Sequence, residues 1–241
     1  MGANIDIKLS ARLGAALDML GKSDYMADIG SDHGMLAAAA LSRGFAKAAL
    51  ASDISEASLG KARAFAGDAL GMSFAVADGL DAVEISPDKK TAIAICGMGG
   101  ELIAGILARG REKAEKAHRI VMQPMGGERE LRQFLYCSGY AILDETVVCE
   151  AGRFYQLIAA RYTGEKQTLP SGALPALAAL EFGAIAYEKR VPELKRLLMK
   201  KQRSRSARME KALANGKAPE RLARELAAAE ALLKNWEDET E

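Results

Sequence analysis

The segment Ala27-Asp28-Ile29-Gly30-Ser31-Asp32-His33-Gly34 closes a short apolar run and opens onto helical sequence. A glycine turn at such a junction lets a ligand approach the backbone, and the helix behind it offers unpaired N–H donors. Only Gly30 and Gly34 are present, so the three-glycine spacing that admits a pyrophosphate is missing and dinucleotide binding is disfavoured. What remains suits a ligand with an ammonium and a carboxylate: Asp28 fits the ammonium side, and His33 either faces the ligand or caps the helix. Asp53, about 25 residues on, can accept both hydroxyls of a ribose or can cap the helix beginning near Ser55, and Ile54 beside it joins the same candidate site. Asp78-Gly79, taken alone, is a turn signal. The run Ile95-Cys96-Gly97-Met98-Gly99-Gly100 exposes backbone to a substrate, and Gln123-Pro124 completes its rim. Cys96 reads as a small buried strand residue rather than a covalent nucleophile.

These residues need a sheet to bring them together. Short apolar runs at 25–29, 48–52, 72–77, 91–96 and from 119 to 122 alternate with helical stretches at 34–43, 55–70, 100–108 and 127–138. That alternation predicts βαβ units and a mostly parallel sheet. Residues 140–150 and 153–162 then read as two strands joined at Ala151-Gly152 with no helix between, a hairpin that forces one strand antiparallel. An α/β sheet ending in this way is the arrangement of the S-adenosylmethionine (SAM) methyltransferase fold, and SAM carries the ammonium, carboxylate, ribose and adenine that the acidic strand ends would serve.

Residues 164–172 read as a linker, followed by a helix over 173–190, a long helix from Pro192 to about 213, a turn at Asn215-Gly216-Lys217, and a last helix from Pro219 to Trp236. Leu222, Leu226, Ala229, Leu233 and Trp236 fall on a heptad-like seam, predicting a coiled-coil-like helical hairpin. The division expected is therefore 1–164 for the sheet domain and 173–241 for a helical appendage.

Composition bounds the rest. In 241 residues, 33 Lys+Arg against 32 Asp+Glu give a net charge of only +1, which taken whole argues against a nucleic-acid partner. The balance is local, however: 13 basic and 3 acidic residues between Lys189 and Arg224 place about +10 on the helical arm and about −9 elsewhere. Lys195, Lys200, Lys201, Arg203, Arg205 and Arg208 are then candidates for tracking phosphates, against the alternative of a solvated helix face. Three cysteines with no CxxC or Cys/His spacing point to free thiols in a reducing compartment and to no metal site. No signal core or membrane-length apolar run is seen, so a cytoplasmic protein is expected.

Lys8-Leu9-Ser10-Ala11-Arg12-Leu13, the Asp28–His33 segment, Asp78-Gly79-Leu80, Gly97-Met98-Gly99-Gly100, Gln123-Pro124 and Leu131-Arg132-Gln133-Phe134-Leu135 together resemble the bacterial tRNA adenine N1-methyltransferase family that modifies adenine 22. The likeness runs over nearly the whole chain. It implies SAM as cofactor and tRNA as partner, with Asp28, Gly30, His33, Asp53, Ile54, Asp78 and Gly79 around the cofactor. It also implies Ser10 and Arg12 covering the cofactor or touching RNA, and Gly97, Met98, Gly99 and Pro124 nearest the reacting methyl. Met125 stands where the family often has Asn after Gln-Pro. The other classes to weigh are a SAM-fold binding protein without turnover and a SAM methyltransferase acting on a small molecule or a protein.

Overall fold

The computed structural model describes residues 7–67, 71–166, 176–217 and 219–238, with the backbone alone for 237 and 238. The elements run α1 (Ala11–Leu20), β1 (Tyr25–Ile29), α2 (Met35–Ser42), β2 (Ala48–Asp53), α3 (Glu56–Ala66), β3 (Met72–Val76), β4 (Thr91–Met98), α4 (Gly100–Arg109), α5 (Arg111–Ala114), β5 (Arg119–Pro124), α6 (Glu128–Cys137), β6 (Tyr140–Glu150), β7 (Arg153–Tyr162), α7 (Ala176–Phe182), α8 (Ala184–Glu188), α9 (Pro192–Ala214) and α10 (Glu220–Asp238). Most of the expected linker, and the start of the helix expected from 173, lie outside the described residues.

The sheet has seven strands in the order β3-β2-β1-β4-β5-β7-β6. β1 to β5 are parallel, and β7 runs antiparallel to both β5 and β6. Strands such as Ala92–Ile95 are buried on both faces, as parallel strands sandwiched between helices must be. On one face Ala16, Leu17 and Leu20 of α1 and Leu36 to Ala40 of α2 pack over Met26, Ala49, Ala94 and Val121. On the other, Ile103, Ile106 and Leu107 of α4 and Leu131 and Leu135 of α6 cover Ala27, Leu50, Ile93, Ile95 and Ile120. A third core joins the arm to the body: Val147 of β6 packs with Phe182, Tyr187, Leu194, Leu198, Leu232 and Trp236.

Two helices were not anticipated. α1 is capped by Ser10, whose hydroxyl accepts from the Leu13 N–H at 3.4 Å. α5 is a single turn after Gly110. One expected helix is broken: 173–190 divides into α7 and α8 at Gly183, where φ is +88° and a Cβ would lie 2.7 Å from Glu145 Oε1 and 2.8 Å from Arg132 Nη2. The cause is a buried charge cluster. Arg132 of α6 and Glu145 of β6, each 1 % exposed, pair at 2.6 Å. Arg132 also donates to the carbonyls of Leu180 (3.0 Å) and Glu181 (3.2 Å) and to Gln156 Oε1 (2.8 Å), while Glu145 Oε2 accepts from the Ile185 N–H at 3.0 Å. The cluster closes the carbonyl end of α7 and the N–H end of α8, satisfying backbone groups that a buried helix break would otherwise strand.

The hairpin of α9 and α10 is present, but its contact face is broader than a heptad seam. Leu222, Ala229 and Trp236 are buried, and so are Ala228 and Leu232, whereas Leu226 and Leu233 are half-buried. A wide stripe of this kind suits a helix facing more than one neighbour. The Tyr187 hydroxyl accordingly donates to the Leu232 carbonyl at 3.2 Å, and Tyr187 meets Trp236 edge-on at 5.3 Å.

Candidate active site

β1 and β4 are adjacent, and the connections leave them toward opposite edges of the sheet, so a crevice opens at their carboxyl ends. The chain leaves β1 through Gly30 at φ +69°, a conformation that suits glycine. The Gly30 and Ser31 N–H groups donate to the Ser52 carbonyl of β2 at 2.8 and 3.0 Å, which folds the loop over the neighbouring strand. A Cβ on Gly30 would fall 2.0 Å from the Met98 methyl, so the end of β4 reaches across the turn.

Asp28 lies at the end of β1, 5 % exposed, its Oδ2 accepting from the Ser31 hydroxyl at 2.6 Å. Burial pushes its pKa up to about 6; bonds from Ser31 and the Ala37 backbone oppose that rise, and the charge of Asp53 adds to it. A carboxylate so placed gains from a cation brought to it. Asp53 ends β2, with Oδ1 accepting from the Ser55 N–H at 2.8 Å and Oδ2 from the Asp32 N–H at 3.4 Å. It is not the cap of α3; Ser55 takes that place. Ile54 beside it is an exposed apolar side chain, 74 % open to solvent.

His33 does not cap α2, whose N-cap is Gly34. It stands half in solvent with Nδ1 2.7 Å from Asp32, and Lys61 is 3.7 Å from the same carboxylate. Asp78, after β3, is held by Arg109 of α4 at 3.0 Å, and a Cβ on Gly79 would touch Ile106 at 3.1 Å, so this turn is fastened to the helix that begins at Gly100.

β4 continues past the expected end at residue 96, with a bulge at Gly97 between Cys96 and Met98. The ends of β4 and β5 then clasp backbone to backbone. The Met125 N–H donates to the Met98 carbonyl at 2.8 Å and the Gly100 N–H to the Gly126 carbonyl at 2.7 Å. A Cβ on Gly100 would lie 2.1 Å from the Gly127 carbonyl oxygen, so the approach requires glycine at 100. Gly99 is the N-cap of α4, and Pro124 is the last, buried residue of β5. Gly126 and Gly127 thus belong to the site, and the Gly-Gly pair directly after Gln-Pro-Met is their signal in the sequence. Cys96 is held as a thiol: burial, then the charge of Asp28, pushes its pKa up to about 12, which leaves no thiolate at neutral pH.

The N-terminal element reaches the same place. Arg12 donates to Oε1 of the fully buried Gln123 at 2.6 Å and lies over the Tyr155 ring at 5.5 Å. Its backbone N–H donates to Glu150 at 3.0 Å; this bond, with a lesser one from Ser10, holds the Glu150 carboxyl below the ordinary range. Ser10 thus serves α1 and Glu150, while Arg12 joins the ends of β5 and the β6–β7 hairpin. Glu150 is a further neighbour that spacing alone did not reveal.

On the arm, one expected phosphate contact fails. Arg205 is 6 % exposed and paired with Glu181 of α7 and, at 3.6 Å, with Glu225 of α10. Tertiary structure supplies acids that the local sequence lacks, and Asp144 likewise holds Lys189; within α10, Glu225 holds Arg221 and Glu220 holds Arg224 as i,i+4 pairs. Lys195, Lys201, Arg203 and Arg208 of α9 make no ion pair among the described residues, and all but the half-buried Lys195 are exposed. Lys200 leans on the Phe154 ring at 5.5 Å and on the Gly152 carbonyl at 3.4 Å.

Among the described residues no helix is long and apolar enough to cross a membrane, and no cluster of three His, Cys, Asp or Glu is arranged to hold a metal.

The methyltransferase-domain family model matches residues 9–158. A tRNA (adenine(22)-N(1))-methyltransferase of Bacillus subtilis is 31 % identical over 202 residues, covering 83 % of this chain and 84 % of its own. The crystal structure of the B. subtilis m1A22 tRNA methyltransferase TrmK superposes with a TM-score of 0.75 at 25 % identity, over 97 % of this chain and 99 % of that one. A Streptococcus pneumoniae protein solved in complex with S-adenosyl-L-methionine gives 0.79 at 26 % identity, over 94 % and 100 %. The likeness runs through most of both chains in each comparison, and the chain belongs to the tRNA (adenine(22)-N(1))-methyltransferase family.

Proposed function

We propose that this protein transfers a methyl group from SAM to N1 of an adenine in tRNA, the adenine being that at position 22. The observation that carries the reading is the buried Asp28, with no cationic partner among the described residues, facing a glycine turn at the crevice between β1 and β4, in a member of this family. The residues present fit SAM. Asp28 offers a carboxylate to the ammonium, Gly30 keeps the turn free of side-chain bulk, and Asp53 offers an acceptor where a ribose would present hydroxyls. Ile54 supplies exposed apolar surface for a base, with His33 and the Asp78-Gly79 turn at the border of the same crevice. When bound, SAM supplies an electrophilic methyl on a sulfonium.

The chain's own work is placement. Adenine N1 has a lone pair and no proton, so no general base is needed to make the nucleophile, and burial disfavours the thiolate of Cys96. Gly97, Met98, Gly99 and Pro124 line the end of β4 and β5 where backbone, rather than side chain, meets the base. The bonds from the Met125 N–H to the Met98 carbonyl and from the Gly100 N–H to the Gly126 carbonyl fix that backbone, and fixed geometry is a source of rate for such a displacement. The base acquires positive charge as it is methylated, and nearby carboxylate and carbonyl oxygens favour that charge. N1 lies on the Watson–Crick edge, so the base must leave its pair to enter.

Residues 1–164 form the catalytic unit in this reading, and 173–241 the tRNA-holding arm. Lys195, Lys200, Lys201, Arg203 and Arg208 contribute phosphate contacts, and Arg205 contributes architecture. A tRNA substrate places the protein in the cytoplasm. Mass spectrometry of tRNA treated with the protein and SAM, with the modified base mapped, tests the function. A methyl group on N1 of adenine 22 is expected; methylation of another atom or another class of molecule overturns it.

A further inference from the structure

A groove of about 470 Å³ opens between the end of β5 and the basic helix. Pro124 and Met125 line it at the reaction end, Phe154 and Tyr155 at the start of β7, and Lys200 and Lys201 on α9. Its size falls among ligand-sized sites, roughly 300–1,000 Å³. Its charge is positive, with Arg153 joining the two lysines against the single acid Glu128. Cations also fix its aromatic lining: Arg196 lies 5.6 Å from the Phe154 ring and Lys200 5.5 Å, while Arg12, bonded to Gln123 beside Pro124, lies over Tyr155.

We propose that this groove seats a nucleotide flanking the methylated adenine, its phosphate among Lys200, Lys201 and Arg153 and its base against Phe154. The proposal rests on the tRNA-methylating reading above and adds a second nucleotide subsite to it. A base drawn out of its stack leaves its neighbour without a stacking partner. An aromatic ring with adjoining cations is the surface that receives an unstacked base whatever its sequence. The position supports the same occupant: an RNA strand held by α9 and delivering a base beside Pro124 has this groove between the two.

The test uses the full chain and a tRNA transcript carrying 4-thiouridine in turn at each position flanking the target adenine. Ultraviolet cross-links from one of these positions are expected to map to the peptide containing Arg153–Tyr155 or to that containing Lys200–Lys201. Arg153→Gln and Lys201→Gln, both at exposed positions, are each expected to lower the slope of log affinity against log salt by about 0.7–0.9. Phe154→Leu, which keeps apolar bulk, is expected to weaken tRNA binding about tenfold while SAM affinity stays unchanged. Methyl transfer by the wild-type chain with cross-links mapping elsewhere and unchanged salt slopes overturns the groove alone. SAM binding without methyl transfer to any tRNA adenine overturns the function and the groove together.

Discussion

Replacing Asp28 by Asn should make the protein more stable and a worse enzyme at once. The side chain is 5 % exposed, and burial has raised its pKa from 3.8 to about 6. The native state therefore holds this proton more tightly than the unfolded chain does. Stability attributable to Asp28 falls as pH rises from about 4 to about 6, and the whole penalty is in force above that. Two pKa units amount to about 3 kcal/mol at neutral pH. An amide carries no charge to desolvate, but it adds a donor that must be placed, at about 1 kcal/mol, so a net gain of about 2 kcal/mol is expected. For a chain of this length that raises Tm by roughly 4–8 °C. The gain should cross zero near about pH 4.5 and become a loss of about 1 kcal/mol well below the unfolded pKa of 3.8, where the wild-type carboxyl is neutral in both states and only the cost of the amide remains. Loss of a charge-assisted hydrogen bond to the ammonium should meanwhile weaken SAM binding roughly 10- to 150-fold. Calorimetric melts between pH 3.5 and 8, with titration of SAM into both proteins, read out both effects. A variant that binds SAM like the wild type, or whose stability difference does not grow with pH, would refute the assignment of Asp28 as a buried carboxylate awaiting a cation.

Other consequences are separable from this one. Glu145→Gln leaves Arg132 charged and buried without its partner, so denaturant unfolding should show a loss of about 3–5 kcal/mol. Gly100→Ala forces a Cβ onto the Gly127 carbonyl oxygen, and methyl transfer should collapse at near-normal SAM affinity if the β4–β5 clasp positions the base. Arg205→Gln should lower Tm without changing the salt dependence of tRNA binding, whereas a combined Lys201→Gln, Arg203→Gln, Arg208→Gln variant should melt normally and lose about 2–3 from the salt slope. A reversed outcome for these two proteins would return Arg205 to the phosphate-binding surface.

The candidate site was legible to the degree that it follows strand ends. Asp28, Asp53 and the Gly97–Gly100 run each close an apolar run, and in a parallel sheet all such ends meet along one edge. Contacts between segments distant in sequence were not legible. Nothing near Ser10 and Arg12 announces Glu150, Gln123 and Tyr155 as their partners, and His33 could not be told from a cap until Gly34 was seen to hold that position. On the arm, Arg205 has no acid three or four residues away in sequence but two in space.

By itself the sequence determined the alternation of strands and helices, the closing hairpin, and the concentration of positive charge near the C-terminus. These follow from local periodicity, turn chemistry and composition, which need no knowledge of the partner surface. Tertiary structure alone decided which charges remain free and which are consumed in pairs. It alone decided that the helix after the linker breaks at Gly183 to accommodate Arg132 and Glu145, and that Phe154 faces a cationic groove beside Pro124. Each depends on side chains tens of residues apart being brought within a few ångströms, where burial and Coulomb interactions fix their state.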